Sequence, residues 1–219
     1  MSKVVPNKPL LILLYGFPGA GKTFFSRQLS ENLQAAHVHS DRIRAELFDH
    51  PRYDKEENMV IGQLMDYMTE EFLRAGLSVI YDVNSMRLAQ RRTLRDLARK
   101  VHAEPVLVWL QIDVDSAYAR STKRDRRRVD DKYSALLDYN DYKKIVGGMQ
   151  NPQGEEYVVV SGKHTFNTQL NAIMKRLREL ALVPSSNQQA DVPRPGLINN
   201  VPNPAAGRVD MTRRNILIR

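Results

Sequence analysis

Eight consecutive residues, Gly16-Phe17-Pro18-Gly19-Ala20-Gly21-Lys22-Thr23, follow the pattern G-x-x-x-x-G-K-[ST]. These types at this spacing are suited to holding a chain of phosphates. Glycines let successive backbone N–H groups curl inward without Cβ clashes, and a helix beginning at the lysine adds its partial positive charge. Lys22 is placed to reach the β and γ phosphates, and the Thr23 hydroxyl to bind Mg²⁺. ATP and Mg²⁺ are therefore the expected cofactors, with all eight residues forming the nucleotide-binding loop. The run Leu10–Tyr15 before the loop is apolar throughout, as a buried strand requires. Phe25, Leu29 and Leu33 behind it fall on one helical face.

Carboxylates end the other apolar runs. Ser40-Asp41 follows a weak strand at Ala36–His39, Asp82-Val83-Asn84 ends a strand at Leu77–Val83, and Asp113 follows Pro105–Ile112. In a doubly wound sheet ligands bind beyond the carboxyl ends of the strands, so these groups share an edge with the phosphate loop. Asp41 could take a proton from a substrate hydroxyl, or merely cap a helix. Arg44, three residues on and so on the same helical face, could hold a substrate phosphate. Asp82 could hold the Mg²⁺ water shell or orient Arg44. Asp113 reads as a strand-end turn residue. Arg120, Arg124 and Arg127 lie at i, i+4 and i+7, one face of a helix, where Arg120 and Arg124 could stabilise charge on a transferring phosphoryl group. Arg126 and Arg128 read as a solvated basic face. The five histidines show no ligand spacing and read as structural or surface groups, and Trp109 as core.

The elements that must position these groups alternate. Five strands, the last at Tyr157–Val160, are separated by helical patterns at Glu56–Ala75, after Asn84 and at Phe166–Ala181. Apolar strands alternating with helices predict an α/β fold with a parallel sheet covered on both faces. The polar, helical segment 113–150 interrupts this order and suits a lid. Beyond Val183 the residues are rich in Pro and Asn and end in Arg213-Arg214 and Arg219, a tail expected to be disordered or to bind a protein or a neighbouring subunit. The expected domains are therefore 1–183 and 184–219.

Composition sets outer limits. The chain has 219 residues, 42% hydrophobic and 26% charged, enough for one α/β domain with a real core. It has no cysteine, which excludes a disulfide framework and a thiolate metal site. Its apolar N-terminal run is too short for a secretory signal and no stretch approaches a membrane span, so a cytoplasmic location without membrane attachment is expected. A net charge of +8 suits a polyanionic partner as well as a nucleotide. Arg87, Arg91 and Arg92 open a helix where cations gain nothing from its dipole, which points to an anionic substrate track.

Taken together, the phosphate loop, Ser40-Asp41-Arg42-Ile43-Arg44, Val79-Ile80-Tyr81-Asp82-Val83-Asn84 and Arg120…Arg124 resemble the P-loop kinases typified by the kinase domain of phage polynucleotide kinase, with zeta-toxin and small-molecule kinases as relatives. His50-Pro51-Arg52-Tyr53 is similar to a segment of the zeta-toxin-like members. The resemblance covers about residues 10–180. It implies a P-loop NTPase three-layer sandwich with a five-stranded parallel sheet of order 2-3-1-4-5 and a helical lid. It also implies Asp41 as general base, Arg44 as acceptor contact, Asp82 as the strand-three carboxylate and Arg120 or Arg124 as the lid arginine. Phosphatase residues of the Asp-x-Asp type do not follow. The expected function is ATP-dependent transfer of the γ-phosphate to a hydroxyl on an anionic acceptor, with the 5′-hydroxyl of a nucleic acid as one candidate. The alternatives are a kinase of a small hydroxyl compound (a sugar, nucleotide-sugar or antibiotic) and a nucleotide-controlled binding module.

Overall fold

The computed structural model describes residues 3–125, 127, 132–133 and 137–185. Strands β1 (Leu10–Tyr15), β2 (Ala35–His39), β3 (Ser78–Asn84), β4 (Glu104–Gln111) and β5 (Val158–Ser161) form one sheet in the order β2-β3-β1-β4-β5. All four pairings are parallel, as the alternation predicts. Helices α1 (Lys22–Asn32), α2 (Ser40–Leu47), α3 (Lys55–Arg74), α4 (Leu88–Lys100), α5 (Val114–Thr122), α6 (Tyr139–Gly147) and α7 (Phe166–Glu179) connect and cover it.

The unbroken apolar run of β1 has a direct cause. Leu10, Ile12 and Leu14 pack with Phe25 and Leu29 of α1 and with Ile173 and Leu177 of α7. Leu11, Leu13 and Tyr15 face the other way, onto Ile61 and Met65 of α3 and Leu94 and Ala98 of α4. Both faces of the strand are buried, so period-two alternation disappears from the sequence. Each such leucine contributes about 1.5–3 kcal/mol by leaving water. The segment before β1 meets the segment after α7: Asn7 N–H donates to the carbonyl of Leu182 at 2.9 Å, and Leu182 and Val183 are buried in the first cluster.

The lid region departs from its expected helical face. α5 is capped by Asp113, which accepts from Ser116 N at 2.8 Å, and it stops at Thr122. Ser121 and Thr122 turn their hydroxyls back onto the carbonyls of Tyr118 and Ala119, and the Asp125 carboxylate accepts from Arg127 N at 3.1 Å. These local bonds compete with helix propagation, so Arg124 and Arg127 lie beyond the helix and do not extend a stripe from Arg120. Arg127 is paired with Asp125 in solvent. Arg126, Arg128, Asp130, Asp131 and the tail beyond Ser185 lie outside the described residues.

Arg91 departs as well. It is fully buried, donating to Glu155 at 2.9 and 2.5 Å and to the carbonyl of Ser85 at 2.9 Å, with its guanidinium 5.3 Å from the Tyr15 ring. A buried guanidinium requires this set of partners, so Arg91 locks α4 to the segment before β5 and is closed to a substrate track. Arg87 and Arg92 remain exposed. Among the described residues no helix is long and apolar enough to cross a membrane.

Candidate active site

The phosphate loop leaves β1 at its carboxyl end and is bent by residues without a side chain. Gly19 adopts φ +86°, and a Cβ there would lie 2.0 Å from the carbonyl oxygen of Ala117 on α5. The loop closes with Ala20 N–H donating to the carbonyl of Phe17 at 3.0 Å, and α1 begins at Lys22. Lys22 Nζ donates to the carbonyls of Gly16 and Phe17 at 2.8 and 2.9 Å. Burial lowers its pKa from 10.5 to about 8; Asp82 and Asp41 oppose that shift and Arg124 adds to it. Such a cation gains most when phosphate replaces the loop carbonyls as its partner.

β2 runs directly into α2, which places Asp41 in the first helical turn. Asp41 makes no cap hydrogen bond, because the cap position belongs to His39. Burial raises its pKa, as does the Asp82 carboxylate, against the opposing charges of His39, Arg44 and Arg124. A carboxylate held in this way is a stronger base than one in water. Asp82, only 3% exposed, sits across from His39 in the parallel pairing of β2 and β3. Its Oδ2 lies 2.8 Å from His37 Nε2 and 3.9 Å from His39 Nε2. Ser40 Oγ donates to its backbone carbonyl at 3.3 Å.

These groups surround one cavity of about 610 Å³, lined by Pro18, Gly19, Gly21, Lys22, Thr23, Asp41, Asp82, Asn84, Arg120, Lys123 and Arg124 among others. The structure thus brings together Lys22, Thr23, Asp41, Asp82, Arg120 and Arg124, with Gly16, Phe17 and Ala20 shaping the loop from behind. Arg120 is anchored by donating to the carbonyl of Gly162 at 2.7 Å.

Arg44 is not brought to the cavity. It is 5% exposed, bonds Glu57 and, at 2.6 Å, Asn58 Oδ1 on α3, and lies 4.5 Å from the Tyr53 ring. The helical spacing from Asp41 is present, but an acidic partner on α3 takes up the guanidinium. Arg44 therefore braces α2 and acts on Asp41 only through its charge.

Sequence reasoning passed over three wall groups. Asn84 follows Asp82 by two residues on β3, and both of its amide atoms are buried without a protein partner. Lys123 and His39 also line the cavity. The signal for Asn84 and His39 was their place at the carboxyl ends of strands, beside the carboxylates already singled out.

Residues 11–142 match the family described as AAA domain (AAA_33). Over 120 residues, 54% of this chain, the sequence is 23% identical to the L-seryl-tRNA(Sec) kinase of Methanococcus maripaludis, and it spans 47% of that relative's length. Among solved structures, a gluconokinase from Sinorhizobium meliloti 1021 superposes with a TM-score of 0.57 at 15% identity, over 79% of this chain and 94% of that one. Chaetomium thermophilum Kti12, solved with ADP-AlF3, gives 0.59 at 15% identity, over 78% and 98%. The chain belongs to the AAA-domain family, as a P-loop kinase domain.

Proposed function

We propose that this chain transfers the γ-phosphate of ATP to a hydroxyl of an anionic acceptor, with a hydroxyl carried by a nucleic acid ahead of one on a small molecule. The observation that carries the reading is the convergence of Lys22, Asp41, Asp82, Arg120 and Arg124 on one cavity at the mouth of the phosphate loop. The loop N–H groups and Lys22 hold the β and γ phosphates. The Asp41 carboxylate accepts the proton of the acceptor hydroxyl as its oxygen bonds to the γ-phosphorus. The bond to the β–γ bridging oxygen breaks and ADP departs. Arg120 and Arg124 offset the charge that develops on the equatorial oxygens.

The Thr23 hydroxyl and the Asp82 carboxylate are hard oxygen donors beside the loop, the type of ligand Mg²⁺ prefers, and they would hold it. When bound, Mg²⁺ neutralises phosphate charge. Asn84, whose amide has no protein partner, is placed to orient the acceptor. Two features support a nucleic-acid acceptor: the name of the Methanococcus maripaludis relative, a kinase of a hydroxyl borne by tRNA, and the cations Lys123 and Arg124 on the cavity wall. The likeness to a gluconokinase supports the small-molecule reading.

Labelled ATP offered with 5′-hydroxyl oligonucleotides, tRNA carrying serine and a panel of sugars tests both. A polynucleotide acceptor releases counterions, so its KM should rise with salt, with a log–log slope of about 0.7 per phosphate contacted on single strands. A flat salt dependence for the best acceptor would remove the nucleic-acid reading. Asp41→Asn should lower transfer by about 10²–10⁴; a loss below tenfold would show that Asp41 is not the base.

A further inference from the structure

β2 carries His37 and His39 two residues apart, so both side chains leave the same face of the sheet. On the neighbouring strand, Asp82 pairs in register with His39 and points to that same face. The result is two imidazoles and a carboxylate from two strands, with ligand atoms all within 4.8 Å of one another. The rings stack, 5.5 Å between centroids and 6° from parallel. His37 and His39 side chains are 21% and 10% exposed and Asp82 3%, so the cluster is shielded yet borders the cavity through His39 and Asp82.

We infer that His37, His39 and Asp82 form a binding site for a divalent transition-metal ion of the Zn²⁺ class, sharing Asp82 with the phosphate-transfer site. Tetrahedral coordination with bonds of about 2.0–2.1 Å places neighbouring ligand atoms about 3.3 Å apart. The observed separations from Asp82 Oδ2, 2.8 Å to His37 Nε2 and 3.9 Å to His39 Nε2, bracket that value. A tilt of the two rings out of their stack converges both nitrogens on one ion. Three protein ligands leave a fourth position on the cavity side. Imidazole nitrogen selects Zn²⁺, Co²⁺ or Ni²⁺ over Mg²⁺, which demands oxygen, so the site separates the two classes of metal by chemistry. Because Asp82 cannot serve both, occupation of this site withdraws it from the phosphate-transfer site.

The full chain, free of nucleotide and Mg²⁺, is titrated with Co²⁺ and read by visible absorption. One equivalent should produce the intense bands of tetrahedral Co²⁺, and Zn²⁺ should displace them. His37→Asn should weaken binding by more than about 100-fold, since even outer partners of metal ligands are worth roughly 10–100-fold. His102→Asn and His164→Asn should leave it unchanged. The wild-type chain loaded with Co²⁺ should also show two far-shifted, exchangeable imidazole N–H resonances, a readout that needs no variant to fold. Absence of bands in excess Co²⁺, bands that persist in His37→Asn, or fewer than two shifted resonances would each overturn the site. These binding measurements stand apart from the kinase reading. The shared use of Asp82 rests on that reading, and predicts that Zn²⁺ inhibits transfer in wild type, that a chelator restores it and that His37→Asn is less sensitive. Bound Zn²⁺ that leaves transfer untouched would refute the sharing.

Discussion

Burial of Lys22 makes a quantitative prediction for nucleotide affinity. Its pKa is lowered to about 8 in the free chain, while phosphate oxygens in place of the Gly16 and Phe17 carbonyls return it toward 10.5. The perturbation is a change of pH from 7.5 to 9 with Mg²⁺ saturating, a window in which the nucleotide is fully ionised. Over it the charged fraction of free Lys22 falls from about three-quarters to about one-tenth, from its pKa and the titration curve. The bound form stays protonated, so the sign is fixed: binding takes up a proton, and affinity falls as pH rises through the free pKa. The expected loss is about eightfold, the ratio of the two charged fractions. Calorimetric titration with Mg·ADP at several pH values measures it, and buffers of different ionisation enthalpy count the protons taken up. Lys22→Arg is the control, because a guanidinium stays charged throughout. A flat wild-type profile, or the same slope in Lys22→Arg, would refute the assignment of Lys22 as the phosphate cation.

Asp41 is raised by burial, so the fold favours its neutral form, and its contribution to stability is larger at low pH and lost as pH rises through its folded pKa. Asp41→Asn should therefore keep or raise Tm at neutral pH while removing the acidic limb of kcat/KM, which in wild type lies above the ordinary aspartate value of about 3.9. Gly19→Ala should prevent nucleotide binding in a chain whose far-UV spectrum is unchanged, because the added Cβ would strike the Ala117 carbonyl; normal affinity would show that α5 yields. Arg91→Met removes the fully buried partner of Glu155 but leaves it paired with Arg95, so it should cost less than the about 3–5 kcal/mol of an uncompensated buried charge, and adding Arg95→Met should bring the loss into that range, as denaturant unfolding would reveal. Truncation after Val183 should leave Tm unchanged, whereas truncation after Leu180 should lower it by removing Leu182 and Val183 from the core.

What the sequence made legible was what local pattern controls. The phosphate loop is eight contiguous residues, and each strand beside it is an apolar run whose carboxyl end is marked by Asp41, Asp82 or Asp113. What stayed hidden depends on partners far along the chain. Arg44 has the helical spacing of a site residue, yet Glu57 on another helix takes it inward. Arg91 stands where a substrate track would begin, yet Glu155, distant in sequence, buries it. The lid arginines fit a helical period, but hydroxyls and an aspartate end the helix before the period is completed. His37 and His39 sit at strand spacing, and their carboxylate comes from the adjacent strand, so ligand spacings along a single segment overlook them.

The close approach of Gly19 to Ala117 has a mechanical consequence. Side chains absorb displacement by changing rotamer, whereas two backbones in contact transmit it. The phosphate loop and α5 therefore move as one rigid part. Arg120, rooted on the same helix and bonded to Gly162, couples that part to the turn after β5, where Gly162 in turn approaches the backbone of Ala20. A ring of stiff contacts encircles the loop, so an arriving phosphate meets a seat that cannot widen. Adjustment of the cavity to its second substrate then falls to the walls outside this ring, where Met86, Leu137 and Ile145 contribute side chains that can change rotamer.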